Sequence, residues 1–135
     1  MAKRILFVED NRYHRLMVEG FLEKEGHTIL SLADGENFLA ALETFKPDLI
    51  LLELNLPKID GYTLLQQLRL SPWRRIPVIV ISVYAFEYEK KKAFDLGVSY
   101  YLTKPTKLEA ISLAMKLEPP LQIGESCEIR DFPVG

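Results

Sequence analysis

The chain has 135 residues, 48% hydrophobic and 27% charged, with a formal net charge of −2 and one cysteine. That length suits one domain with a real core, the charge gives no footing for direct nucleic-acid binding, and a single Cys127 makes no internal disulfide, as in a reducing compartment. No apolar stretch approaches the ~20 residues that span a bilayer, and the run Ile5 to Val8 is too short for a secretory signal, so a soluble cytoplasmic protein without membrane contact is expected.

Ile5-Leu-Phe-Val8 reads as strand 1 and ends in Glu9-Asp10-Asn11. From Arg12 to Glu25 the apolar residues Tyr13, Leu16, Met17, Phe21 and Leu22 recur at helical spacing, with Asp10 or Asn11 as N-cap and Gly26 as the stop. His27 to Leu32 is a weaker strand 2. After the turn at Asp34-Gly35, helix 2 sets Phe38, Leu39, Leu42 and Phe45 on one face until Pro47. Strand 3, Leu49 to Leu52, is apolar on both faces, as a central parallel strand covered by helices must be. It gives out at Glu53. Helix 3 runs from about Tyr62 to Leu70 with Leu64, Leu65 and Leu68 inward. Pro77 to Ile81 is strand 4, ending at Ser82, and helix 4 covers roughly Phe86 to Leu96 before Gly97. Tyr100-Tyr101-Leu102 is a short strand 5. Leu108, Ile111, Ala114 and Met115 form the inward face of helix 5, and Glu118-Pro119-Pro120 closes the domain. Residues 1–118 are therefore read as one domain and 119–135 as a C-terminal tail.

Five strands alternating with five helices make an α/β fold: a doubly wound five-stranded parallel sheet, flavodoxin-like, with helices on both faces. Right-handed crossovers give the strand order 2-1-3-4-5. The chain then reverses between strands 1 and 3, and ligands belong beyond the strand C-termini at that point. Glu9, Asp10, Glu53, Ser82 and Lys104 are all delivered there. Three carboxylates in one crevice repel, so a cation or proton has to compensate. An oxygen-rich site without His or Cys suits Mg²⁺, and Lys104 adds an ammonium able to pair with a phosphate or with Glu53 itself. Each residue alone has a plainer explanation: a cap for Asp10, a strand-end hydroxyl for Ser82, a surface lysine for Lys104. Their coincidence at four strand ends argues for a site of the phosphoryl-transfer type. His14 and His27 have no partner at ligand spacing and are read as surface residues.

Taken together, Ile5-Leu-Phe-Val-Glu-Asp-Asn11, Pro47-Asp-Leu-Ile-Leu-Leu52, Leu56-Pro57, Asp60-Gly61, Ile76-Pro-Val-Ile79, Gly97 and Tyr101-Leu-Thr-Lys-Pro105 resemble the receiver domain of two-component response regulators. The resemblance spans about Lys3 to Leu117. It implies Mg²⁺ held by Glu9, Asp10 and the backbone carbonyl of Asn55, a signature lysine at Lys104 before a cis Pro105, a switch hydroxyl at Ser82 and a switch aromatic at Tyr101. It also implies a signalling role rather than that of an enzyme.

Two positions depart from that pattern. The phosphoacceptor of the family is an aspartate, and here Glu53 stands in its place. One more methylene, about 1.5 Å, pushes the carboxylate into the space of a phosphoryl group, and in-line attack tolerates ~1 Å misplacement poorly. Val83 follows the switch hydroxyl where a small residue is usual, and narrows access. Phosphorylation is thus expected to be lost, or mimicked by the fixed charge of Glu53, and Mg²⁺ binding weakened. One alternative is a receiver that still accepts a phosphoryl group from a histidine kinase. Another is a flavodoxin-like small-molecule binder.

Aromatic residues crowd the segment from Tyr84 to Tyr101. Phe94 suits the core, while Tyr84, Tyr88, Tyr100 and Tyr101 are expected on the face of helix 4, strand 5 and helix 5, where aromatic clusters typify interface cores. The expected partners there are a sensor histidine kinase, a downstream effector or a second copy forming a homodimer. Too few residues follow Leu117 for a helix-turn-helix module, so a stand-alone module working through protein contacts is the expectation.

Overall fold

The structure is a computed structural model and describes residues 2–117. Its elements in chain order are β1 (Arg4–Val8), α1 (Arg12–Lys24), β2 (Thr28–Leu32), α2 (Phe38–Phe45), β3 (Leu49–Leu52), α3 (Gly61–Arg69), β4 (Val78–Ser82), α4 (Glu87–Asp95), β5 (Tyr100–Thr103) and α5 (Leu108–Lys116). All five strands are parallel, in the order β2-β1-β3-β4-β5. The reversal between β1 and β3 puts Val8 beside Leu52, so the residues that follow them, Glu9 and Glu53, leave the sheet side by side. The expected tail lies outside the described residues.

The alternation of each strand feeds two cores. Ile5, Phe7, Leu49, Leu51, Ile79, Ile81, Tyr100 and Leu102 pack with α1 and α5 through Val18, Leu22, Ile111, Ala114 and Met115. Leu6, Val8, Ile50, Leu52, Val78, Val80 and Tyr101 pack with α2, α3 and α4 through Phe38, Leu42, Leu64, Leu65, Leu68 and Ala93. Central strands with both faces apolar are what this burial requires, at roughly 1.5–3 kcal/mol for each large aliphatic side chain. Gly26 and Gly97 close α1 and α4 at φ 99° and 85°, a left-handed backbone that glycine adopts without a Cβ clash.

Three expectations about inward faces need correction. On α1, Tyr13 is 79% exposed and Leu16 and Met17 are also exposed, while Val18 and Leu22 are buried. The helix is rotated because its first turn is tied to the end of β1. His14 Nδ1 reaches Glu9 at 2.8 Å and Arg15 Nη1 donates to the Glu9 carbonyl at 2.7 Å, which draws the His14, Val18, Leu22 stripe inward. On α2, Leu39 faces solvent and Ala41 takes the buried position. On β5, Tyr100 is only 6% exposed. It belongs to the α1–α5 core, because alternation along the strand sends it to the side opposite Tyr101, so it is not an interface residue.

Candidate functional site

The ends of β1, β3, β4 and β5 each contribute one polar group, placed by backbone pairing. The Glu53 amide donates to the Val8 carbonyl at 3.0 Å, the Glu9 amide to Leu32 at 2.9 Å, and the Lys104 amide to Ser82 at 2.7 Å. The Lys104–Pro105 bond is cis. Behind the acid, Gly61 packs so closely that a Cβ would stand 2.6 Å from Leu54 Cα and 2.8 Å from the Glu53 carbonyl oxygen. Only glycine lets α3 begin there.

Glu9 and Glu53 are 0% and 1% exposed. A buried carboxylate is costly unless paired and hydrogen-bonded, and here every carboxylate oxygen has a donor. Lys104 Nζ lies 2.8 Å from Glu9 Oε1 and 2.9 Å from Glu53 Oε1, bridging the two. Glu9 Oε1 also meets His14 Nδ1, and its Oε2 accepts the Asn11 amide at 3.0 Å. Glu53 Oε2 accepts the Ser82 hydroxyl in a short hydrogen bond and the Asn55 amide at 2.9 Å. Burial alone would raise the Glu9 pKa, but the hydrogen bonds from His14, Lys104 and Asn11 outweigh it and hold the carboxyl below its ordinary range. Burial likewise opposes the charge on Lys104, and the two glutamates overcome it, raising that pKa.

The second layer extends from Ser82. Its Oγ accepts the Tyr84 amide at 3.1 Å. Tyr101 is fully buried beneath it, with its hydroxyl donating to the Tyr84 carbonyl at 2.8 Å. Burial is the main cause that pushes the Tyr101 phenol well above its ordinary range. Tyr84 is half-buried, and its hydroxyl lies 3.3 Å from the Asn55 side chain. Farther out, Phe86 and Tyr88 are 68% and 67% exposed and stack at 5.7 Å.

Glu9, Glu53, Ser82 and Lys104 are thus brought together in one cluster, and Tyr84 and Tyr101 lie next to them. Asp10 is exposed and stands outside the bridged cluster. His14 corrects the surface reading: it is largely buried against Glu9 and meets Phe7 edge-on at 6.1 Å. His27 is likewise tied down, its Nδ1 accepting the Lys3 amide at 3.0 Å. The signal for His14 was present in the spacing, since Val18 and Leu22 continue its stripe at four-residue intervals. The brighter apolar residues Tyr13, Leu16 and Met17 masked it.

The donor set does not fit a divalent cation as arranged. Mg²⁺ needs oxygen ligands in near-octahedral geometry, and each oxygen of Glu9 and Glu53 already carries at least one donor, from an ammonium, an imidazole, a hydroxyl or an amide. Among the described residues no three His, Cys, Asp or Glu side chains gather at a spacing that could hold a metal. Nor is any helix of those residues long and apolar enough to cross a membrane.

Residues 5–116 match the family model described as the response regulator receiver domain. The alkaline phosphatase synthesis transcriptional regulatory protein PhoP of Bacillus subtilis is 34% identical over 116 residues, covering 86% of this chain and 48% of that protein. The chain therefore spans about half the length of this curated relative. Among solved structures, the Mn²⁺-bound form of response regulator Rcp1 is 31% identical with a TM-score of 0.73, covering 87% of this chain and 99% of that one. The phosphorylated cyanobacterial phytochrome response regulator RcpA is 33% identical with a TM-score of 0.73, covering 84% and 89%.

Proposed function

The chain belongs to the response regulator receiver domain family of two-component signal transduction, and from that premise we propose that it signals through protein–protein contacts, with the fixed carboxylate of Glu53 standing in for a phosphorylated aspartate. The observation that carries this reading is the pair of donors on Glu53. The Ser82 hydroxyl and the Lys104 ammonium both reach it, and these are the groups that the receiver resemblance sets around the phosphorylated side chain. Tyr101, in the place of the switch aromatic, is buried beneath Ser82. Glu53 thus draws the switch hydroxyl inward without chemistry, through a hydrogen bond strengthened by the charge of its acceptor.

The partner-facing surface in this reading is the exposed ring pair Phe86 and Tyr88 at the start of α4, flanked by Tyr84. Stacked aromatics left in water suit the centre of an interface. A histidine kinase or a downstream effector is the proposed occupant of that face, and a second copy of the chain is the alternative. The setting that goes with this role is the cytoplasm.

Intact-mass measurement after incubation with a small-molecule phosphodonor and Mg²⁺ tests the central step. The unmutated chain is expected to keep its mass, while Glu53→Asp, alone or with Val83→Ala, gains one phosphoryl group. A phosphoryl adduct on the unmutated chain would replace this reading with that of a receiver phosphorylated by its kinase.

A further inference from the structure

We propose that Lys104 and His14 together close the acid pocket without a divalent cation, so that this receiver site is metal-independent. The inference rests on reading Glu9, Glu53 and Lys104 as a receiver pocket, and it deepens that reading by naming what replaces the metal.

Receiver relatives include a Mn²⁺-bound form of Rcp1, so a cation is the expectation to be displaced. Lys104 has three N–H donors and directs two of them at buried carboxylates, one on Glu9 and one on Glu53. His14 adds a second nitrogen on Glu9 Oε1. Its place is built rather than accidental: its amide donates to the Asn11 cap at 2.9 Å, and its ring lies edge-on to Phe7. The Asn11 and Asn55 amides donate to Oε2 of Glu9 and of Glu53, and the Ser82 hydroxyl donates to the latter as well. A cation binding Oε1 of either glutamate would have to expel an ammonium or an imidazole, one binding Oε2 would compete with an amide or the Ser82 hydroxyl, and either would coordinate beside the charge of Lys104. Of the expected ligands, Asp10, at the surface, and the backbone carbonyl of Asn55 lie outside this network. One exposed carboxylate and one carbonyl, beside an ammonium already seated on both glutamates, are too little to pull a strongly hydrated ion from water.

The length of Glu53 fits the same scheme. Its extra methylene carries the carboxylate outward to Lys104, over part of the gap that a cation or a phosphoryl group would otherwise bridge. Shortening it to aspartate should loosen this contact and reopen the space.

The test uses the metal alone. The folded chain, freed of metal, is titrated with Mg²⁺ while its melting temperature is followed, and with Mn²⁺ while amide line-broadening is followed by NMR. The unmutated chain is expected to show no Mg²⁺-dependent rise in melting temperature and no selective broadening at Asp10, Glu53 or Asn55. Lys104→Met is expected to gain both responses, because a ligand that binds only the folded state stabilises it. Glu53→Asp serves as a second variant should Lys104→Met fail to fold, and it is expected to gain broadening at the same amides. Saturable broadening or a Mg²⁺-dependent rise in the unmutated chain overturns the proposal. So does a failure of every folded variant to bind more Mn²⁺ than the unmutated chain, since Lys104 would then not be what excludes the ion. Cation uptake by the unmutated chain would leave its phosphoryl-mass result untouched, so the two readings fail separately.

Discussion

Lys104 Nζ stands 2.9 Å from Glu53 Oε1, and the same ammonium holds Glu9 at 2.8 Å. One cation therefore serves two buried carboxylates. Removing it leaves both without their shared counter-charge, whereas removing either acid leaves a one-to-one pair.

That asymmetry orders two variants. Lys104→Met is expected to cost more than the ~1 kcal/mol ceiling of an exposed ion pair, and to approach the ~3 kcal/mol typical of a broken buried pair. Glu53→Gln is expected to cost much less, since Glu9 and Lys104 remain matched. Denaturant melts in metal-free buffer check the order, and equal losses would mean that the cluster is not coupled.

Acid should act through Glu9. Burial would raise its carboxyl, but His14, Lys104 and Asn11 together hold it below the ordinary value of 4.5. A depressed carboxyl contributes stability that is present above its unfolded pKa and is lost as pH falls through the folded one. The unmutated chain is thus expected to lose melting temperature more steeply on acidification below about 4.5 than Glu9→Gln. Lys104 has the opposite sign: its raised pKa makes its contribution complete below 10.5 and lost as pH rises beyond it. Parallel melting curves for the two proteins at low pH would rule out the Glu9 assignment.

Two tyrosines of the aromatic-rich segment should behave differently. Tyr100 is core, so Tyr100→Ala is expected to cost ~3 kcal/mol or more, as large aromatic truncations do. Tyr88→Ala, at an exposed position, should stay within ~0.5 kcal/mol while weakening self-association or partner capture. Calorimetry paired with sedimentation separates the two effects. A large stability loss from Tyr88→Ala would place that ring in the fold rather than at an interface.

Gly61→Ala tests the floor of the site. Its Cβ would meet the backbone of Leu54 and Glu53 at 2.6 and 2.8 Å, and a backbone cannot rotate aside as a side chain does. A loss of about 1–3 kcal/mol is expected from overpacking, with chemical-shift changes at the Glu53 and Asn55 amides. An unperturbed spectrum would show that the start of α3 can give way.

The order of the sheet and the polar residues at its C-terminal end were legible from the chain alone. Leu49 to Leu52 and Val78 to Ile81 are apolar on both faces, which only a strand covered on each side can satisfy, and alternation with helices then dictates the crossovers. Glu9, Glu53, Ser82 and Lys104 were legible for the same reason: polar groups directly after buried strands have one crevice to enter. What the tertiary structure decided were rotations and partners. Periodicity marks an apolar stripe but not the angle at which a helix sits, and α1 turned away from Tyr13, Leu16 and Met17 because His14 and Arg15 are anchored to Glu9. The crowding of Tyr84, Tyr88, Tyr100 and Tyr101 in sequence pointed to one surface, yet the pleat of β5 buries Tyr100 and Tyr101 in opposite cores. The pairing of charges was the last thing to be settled. Three acids and one lysine can be compensated in several ways, and distance alone chose Lys104, shared between Glu9 and Glu53, with His14 completing the set.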